Sequence, residues 1–258
     1  MNIQTTLPEV RDRVSAAEWD ARVNIAACYR VVALHGWTDQ IFTHISAAVP
    51  GEEGHFLLNP YGLMFEEVTA SSLVKIDLNG DIVDDTPWKI NQAGFTIHSA
   101  VHAARHDVEC VIHTHTRSGM AVSAQKDGLL PICQNAMQFY NRIAYHDYEG
   151  IALDLDERER LVADLGSHHA MILRNHGLLV AGRTVAEAFT LLYNLEVSCQ
   201  TQLAAQAGGE LILPPADVCE HAASQFWPKG QTRPSAVLDH AWAAQIRRLD
   251  RQNPGYDA

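Results

Sequence analysis

Two histidines, His113 and His115, stand one residue apart after Val108 to Ile112, a run that is apolar but for Glu109. A strand sends residues i and i+2 to the same face, so both imidazoles leave the chain on one side. That spacing suits two nitrogens on one metal ion. A third histidine, His176, lies in Arg174-Asn175-His176-Gly177, between the apolar runs Met171 to Leu173 and Leu178 to Val180. A histidine at a buried turn is costly unless it is hydrogen-bonded or liganded, and Gly177 suits a left-handed backbone position beside it. Three imidazoles on two strand ends form a facial set with an open side. That set fits one divalent ion per chain, with Zn the first expectation and Mn, Fe or Co the alternatives. Taken singly, a His-x-His pair also fits a polar strand end, and His176 also fits a solvent-facing turn.

The elements that must carry these residues are readable from periodicity. Ala17, Ile25, Ala26, Tyr29, Val32 and Ala33 recur at helical spacing over residues 16–35, with Gly36 as a stop. Residues 42–49 and 56–59 read as strands, and Asn79-Gly80 reads as a hairpin turn between 73–78 and 82–83. Residues 92–105, 117–125 and 158–165 read as helices, 108–115 as a strand, and 170–174 with 178–181 as a second hairpin. A long helix over 184–207 opens with the capping-box pattern Thr184-Val185-Ala186-Glu187. After Gly208-Gly209 come two further helices, near 216–226 and 236–250. Strands alternate with helices but hairpins are frequent, which predicts an α/β sandwich with a mixed or antiparallel sheet.

Composition narrows the function classes. A chain of 258 residues that is 47% hydrophobic and 19% charged can bury a sizeable core. The net charge of −12 disfavours nucleic acid and anionic membrane as partners. No apolar run reaches the roughly 20 residues of a membrane span, and Met1 to Glu9 has no signal-peptide character. Five scattered cysteines, none in a Cys-x-x-Cys pair, point to a reducing compartment and a cytoplasmic location.

His-Thr-His after an apolar strand, followed by Arg174-Asn175-His176-Gly177-Leu178, resembles the class II aldolase/adducin superfamily. The likeness runs over residues 16–207. Asn91-Gln92-Ala93-Gly94-Phe95, His98-Ser99-Ala100, Gly128-Leu129-Leu130-Pro131 and Tyr145-His146-Asp147-Tyr148 resemble its adducin-head branch. The resemblance implies a three-layer α/β/α sandwich with a central mixed, largely antiparallel sheet. It also implies a metal held by His113, His115 and His176, a small-molecule substrate, and a homotetramer with sites near subunit boundaries. On this reading residues 1–213 form the aldolase-like domain, and 214–258 a helical extension packed on it or on a neighbouring subunit.

The pattern also departs from the sugar-phosphate aldolases. Their acid/base glutamate falls at Gly94, and the small hydroxylated residues before it fall at Gln92 and Ala93. The phosphate-loop asparagine falls at His44 within Thr43-His44-Ile45-Ser46, and Thr-Pro-x-Gly becomes Asn59-Pro60-Tyr61-Gly62. The metal set is kept while the base and much of the phosphate pocket are not. The expectation is a divalent-metal-dependent carbon–carbon lyase, of aldolase or decarboxylase type, acting on a small hydroxy or keto acid or a sugar-derived compound. The metal would polarise an oxygen and stabilise an enolate. His44, Tyr61, Gly62, Gln92 and Arg174 are the candidate substrate contacts, Arg174 for a carboxylate. His98, one turn beyond Gly94 on the same helix face as His102, is the candidate outer-shell group. Tyr140, Tyr145 and Tyr148 join Tyr61 as candidate acids. Two rivals stay open: a non-catalytic adducin-like interaction module, and an iron-dependent oxygenase on the same histidines.

Overall fold

A computed structural model describes residues 9–150, 156–227 and 235–258, with the backbone alone at 92, 93, 235 and 236. The segment read above for a targeting signal lies outside them, apart from Glu9. In chain order the elements are α1 (Val10–Arg13), α2 (Ala16–Leu34), β1 (His44–Ala48), β2 (His55–Leu58), a 3-10 turn (Phe65–Glu67), β3 (Val74–Asp77), α3 (Gln92–Ala104), β4 (Cys110–Thr114), α4 (Arg117–Ser123), α5 (Gln134–Met137), β5 (Ala144–His146), α6 (Glu157–Leu165), β6 (Ala170–Leu173), β7 (Gly177–Gly182), α7 (Val185–Ala207), α8 (Ala216–Phe226) and α9 (Ser235–Gln252).

The strands form one sheet in the order β3-β2-β1-β4-β7-β6-β5. Every neighbouring pair is antiparallel except β5 and β6. The sheet is therefore mixed and largely antiparallel, as expected. Alternation along the strands divides the core. Ile45, Ala47, Cys110, Ile112, Leu178 and Val180 pack against α2, α7 and α9. Val111, Leu179, Ala181 and Met171 pack against Ile97 and Val101 of α3 and Leu161 and Leu165 of α6. The molecule is thus an α/β sandwich with helices on both faces, and the central pair β4 and β7 is buried throughout.

Local chemistry sets the long helices. The Ser15 side chain accepts the Glu18 amide at the start of α2, and Thr184 accepts the Glu187 amide at the start of α7. At the other end of the chain, Leu238, Trp242 and Leu249 of α9 enter the same core as α2 and α7. The Arg30 guanidinium donates to the side chain of Asn253 and the carbonyls of Pro254 and Gly255. Ala70 and Ser71 donate their backbone N–H groups to Tyr256 and Ala258.

Sequence expectation and structure differ in places. The hairpin at Asn79-Gly80 closes, but β3 ends at Asp77 and only one bridge, Ile76 to Ile82, follows. The Asp77 carboxylate accepts the Asn79 and Asp81 amides, and Ile82 and Val83 stay exposed. With no apolar surface to cover, the return limb has nothing to hold it as a strand. Short α5 and β5 carry too few residues to show a period. Among the described residues, no helix is long and apolar enough to cross a membrane.

Candidate metal centre and its cavity

The central pairing of β4 with β7 builds the site. Thr114 lies opposite Leu178, which brings the end of β4 against the β6–β7 turn. His113 and His115 come from the first, His176 from the second. The Nε2 atoms of His113 and His115 are 2.9 Å apart, and those of His115 and His176 are also 2.9 Å apart. The turn is made by Asn175, whose φ is +55°. Gly177 was expected to take the left-handed position and does not. It is glycine because the Thr114 carbonyl and the His115 ring crowd the place its β-carbon would need.

Proton placement decides what these nitrogens offer. His113 Nδ1 faces the Leu178 carbonyl at 3.0 Å, and His115 Nδ1 faces the Asp39 carboxylate at 3.0 Å. Both partners only accept, so each Nδ1 carries the proton and each Nε2 keeps a lone pair. Lone pairs at this separation repel one another unless a cation lies among them. Burial, reinforced by His176 and His115, holds the pKa of His113 well below the usual imidazole value. Burial first, then His115 and His146, pulls His176 down to about 4. Convergent imidazole nitrogens fit a divalent cation, and His113, His115 and His176 are a set whose ligand atoms lie within 4.8 Å of one another.

The three histidines open on a cavity of about 530 Å³. Asp39, His44, Tyr61, Asn91, Tyr148 and Asn175 supply polar groups to its wall, and Phe42, Ile97 and Met120 the apolar ones. Among the described lining residues there is no Lys or Arg. Tyr61 and Tyr148 are 47% and 54% exposed, at the mouth, and the Tyr148 ring centroid is 6.2 Å from that of His176.

The remaining candidates separate. His44 is in the wall, Cα to Cα with His113 across β1 and β4, and Gly94 is beside it. Burial, with a smaller contribution from His115, lowers the pKa of His44 to about 3, so its ring is neutral. His98 is fully buried behind this wall, hydrogen-bonded through Nδ1 to the Ser46 hydroxyl at 2.6 Å, which also meets His102 Nε2 at 2.7 Å. Gly62 has φ +104° and does not line the cavity. The side chain of Gln92 lies outside the described residues. Arg174 was expected at a substrate carboxylate, but it turns away: its guanidinium donates to the Gln125 carbonyl at 2.8 Å and sits 4.2 Å from the Tyr145 ring centroid. Tyr145 and Tyr140 are likewise absent from the lining.

Asp39 went unnoticed in the sequence, where it lies 76 residues before His115 with no spacing signal. The apolar wall residues were equally silent, because an isolated Phe or Met carries no pattern.

Comparison with known proteins agrees with this architecture. Residues 23–203 match the family model described as the class II aldolase and adducin N-terminal domain. A Pseudomonas aeruginosa protein, described by its class as aldolase class 2, is 53% identical over 96% of both chains. Rat alpha-adducin is 44% identical over 91% of this chain, which spans 33% of that longer protein. A crystal structure of an aldolase II superfamily protein from Pseudomonas syringae is 54% identical, with TM-score 0.91 over 97% of this chain and all of that one. L-Fuculose 1-phosphate aldolase from Glaciozyma antarctica is 27% identical, with TM-score 0.81 over 92% of each chain. With the family model covering most of its length and relatives above half identity, the chain belongs to the class II aldolase and adducin family.

Proposed function

We propose that this chain is a divalent-metal-dependent lyase, of aldolase or decarboxylase type, acting on a small hydroxy or keto acid or a sugar-derived compound of similar size. The observation that carries the reading is the convergence of the His113, His115 and His176 Nε2 atoms under an open cavity. His113, His115 and His176 would hold the ion, with Zn first and Mn, Fe or Co as alternatives. When bound, such an ion supplies Lewis acidity to a substrate oxygen. The Leu178 carbonyl and the Asp39 carboxylate fix the tautomers that make the two imidazoles acceptors. Phe42, Ile97 and Met120 supply apolar surface to the cavity. On this reading Tyr61 or Tyr148, both exposed residues of the cavity lining, would deliver or remove a proton at the mouth. A doubly charged phosphate would find no Lys or Arg among the described lining residues, which favours a carboxylate or hydroxyl substrate.

The test is elemental analysis of protein purified without chelator. It is followed by NMR of metal-loaded protein with a panel of 2-keto and 2-hydroxy acids in D2O, reading CO2 loss, carbon–carbon cleavage and deuterium exchange. Protein that takes up no metal on reconstitution would remove the basis of the proposal. The homotetramer implied by the family likeness is part of the same reading, and light scattering on the purified chain tests it.

A second reading, an interaction module without chemistry, is favoured by the 44% identity to alpha-adducin and by the glycine at position 94. It expects a metal-free chain, or one whose metal can be removed without effect on any turnover.

A further inference from the structure

His44 and Gly94 compete for one volume. A β-carbon on Gly94 would stand 2.5 Å from Cγ of His44 and 2.6 Å from its Cδ2 and Cε1. The near-equal distances put that point over the face of the imidazole, well inside van der Waals contact. The ring therefore rests on bare backbone in the first turn of α3, where any larger residue would evict it.

The ring filling that space is not a good filler. His44 is 2% exposed, and among the described residues neither of its buried nitrogens has a hydrogen-bond partner. A phenylalanine or leucine would fill the same volume with no orphaned polar atoms. The nearest imidazole, His98 at 6.0 Å between centroids, already spends its Nδ1 on Ser46. Yet His44 lines the cavity and is the cross-strand neighbour of His113. A buried imidazole offers one N–H donor and one acceptor, which match a carboxylate or carbonyl oxygen and a hydroxyl.

We propose that His44 is a substrate-recognising residue whose imidazole hydrogen-bonds a hydroxyl or carboxylate oxygen of a small hydroxy acid held at the three-histidine site, and that Gly94 is glycine to make room for that ring. The proposal rests on the lyase reading of the same cavity. It gives the residue at 94 a purpose other than proton transfer: it is emptied so that a second polar group can stand there.

The test uses the full, metal-loaded chain with glycolate as the probe, binding read by calorimetry and metal content measured on the same samples. The parent is expected to bind glycolate. His44→Phe, which keeps a ring of similar shape, should fold with equal or higher Tm, hold the parental metal content, and lose at least tenfold in glycolate affinity. His44→Gln, which keeps a donor and an acceptor, should retain part of that affinity. Gly94→Ala should lose affinity as His44→Phe does, and its loss of Tm should shrink in a His44→Ala background, where the ring is gone. Parental glycolate affinity in His44→Phe overturns the assignment, as does a metal-loaded parent that fails to bind glycolate. An equal cost of Gly94→Ala with and without the ring overturns the steric pairing. A parent that takes up no metal overturns the lyase reading and this one together, so the metal measurement separates the two failures.

Discussion

The carboxylate of Asp39, in the loop between α2 and β1, meets Nδ1 of His115 at 3.0 Å. The contact orients the ring, fixes its proton on the outer nitrogen and leaves Nε2 to the site. Asp39→Ala should therefore weaken divalent-metal affinity by about 10–100-fold while leaving the fold intact, since the Asp39 side chain is 41% exposed. Chelator competition on the variant and the parent reads this directly. Equal affinities would mean that His115 is held by its strand alone.

Removal of a ligand itself should act differently. His176→Ala takes away one of three convergent nitrogens, and the expected outcome is a folded chain without stoichiometric metal. Its Tm should match that of the chelator-treated parent. At a free metal concentration of 1,000 times Kd, the parent should gain about 4 kcal/mol over its metal-free form, whereas the variant gains almost nothing. A variant that fails to fold under the same conditions would show that the ion is structural.

The histidines were legible because period and partner agree. His113 and His115 follow the apolar residues Cys110 to Ile112, and His176 lies between two apolar runs, so the sequence places each at a strand end. Their meeting depends on β4 pairing with β7 at a separation of 65 residues between His113 and Leu178, and no local pattern encodes that. The same limit hid Asp39. Arg174 shows the opposite error. Two residues before His176 in sequence, it lies just past the end of β6 at Leu173, and its guanidinium is engaged by the Gln125 carbonyl and the Tyr145 ring, two partners that no local pattern announces. Gly177 was read as a turn residue, but it is glycine for close packing, and only the neighbouring strand shows this.

Gly177 offers a test of how tightly that turn is held. A methyl group at this position meets the Thr114 carbonyl, which belongs to the strand carrying His113. Gly177→Ala should push β7 and β4 apart at the site, costing about 1–3 kcal/mol in denaturant unfolding. It should also lower metal affinity, because His176 is its immediate neighbour. A variant with parental stability and parental metal affinity would show that the strand ends are more yielding than their spacing suggests.

The imidazoles behind the cavity predict how the fold responds to acid. His98 is fully buried and burial holds its pKa well below the usual value, with His44 and His102 adding to the effect. His102, bonded to the same Ser46 hydroxyl, is lowered by burial to about 4. In the unfolded chain both would titrate near 6.5, so between pH 6.5 and about 4 the unfolded state binds more protons than the folded one. Stability therefore falls as pH drops through that window, by up to about 1.4 kcal/mol per pH unit for each such histidine. The stability these neutral rings confer is fully present above pH 6.5. His102→Phe, which keeps a ring to stack against Phe56, should remove one proton's worth of that slope while changing stability little at pH 8. Urea midpoints measured from pH 8 to pH 4.5 on both proteins decide it. Parallel curves would mean that the His102 ring is already solvated in the folded state.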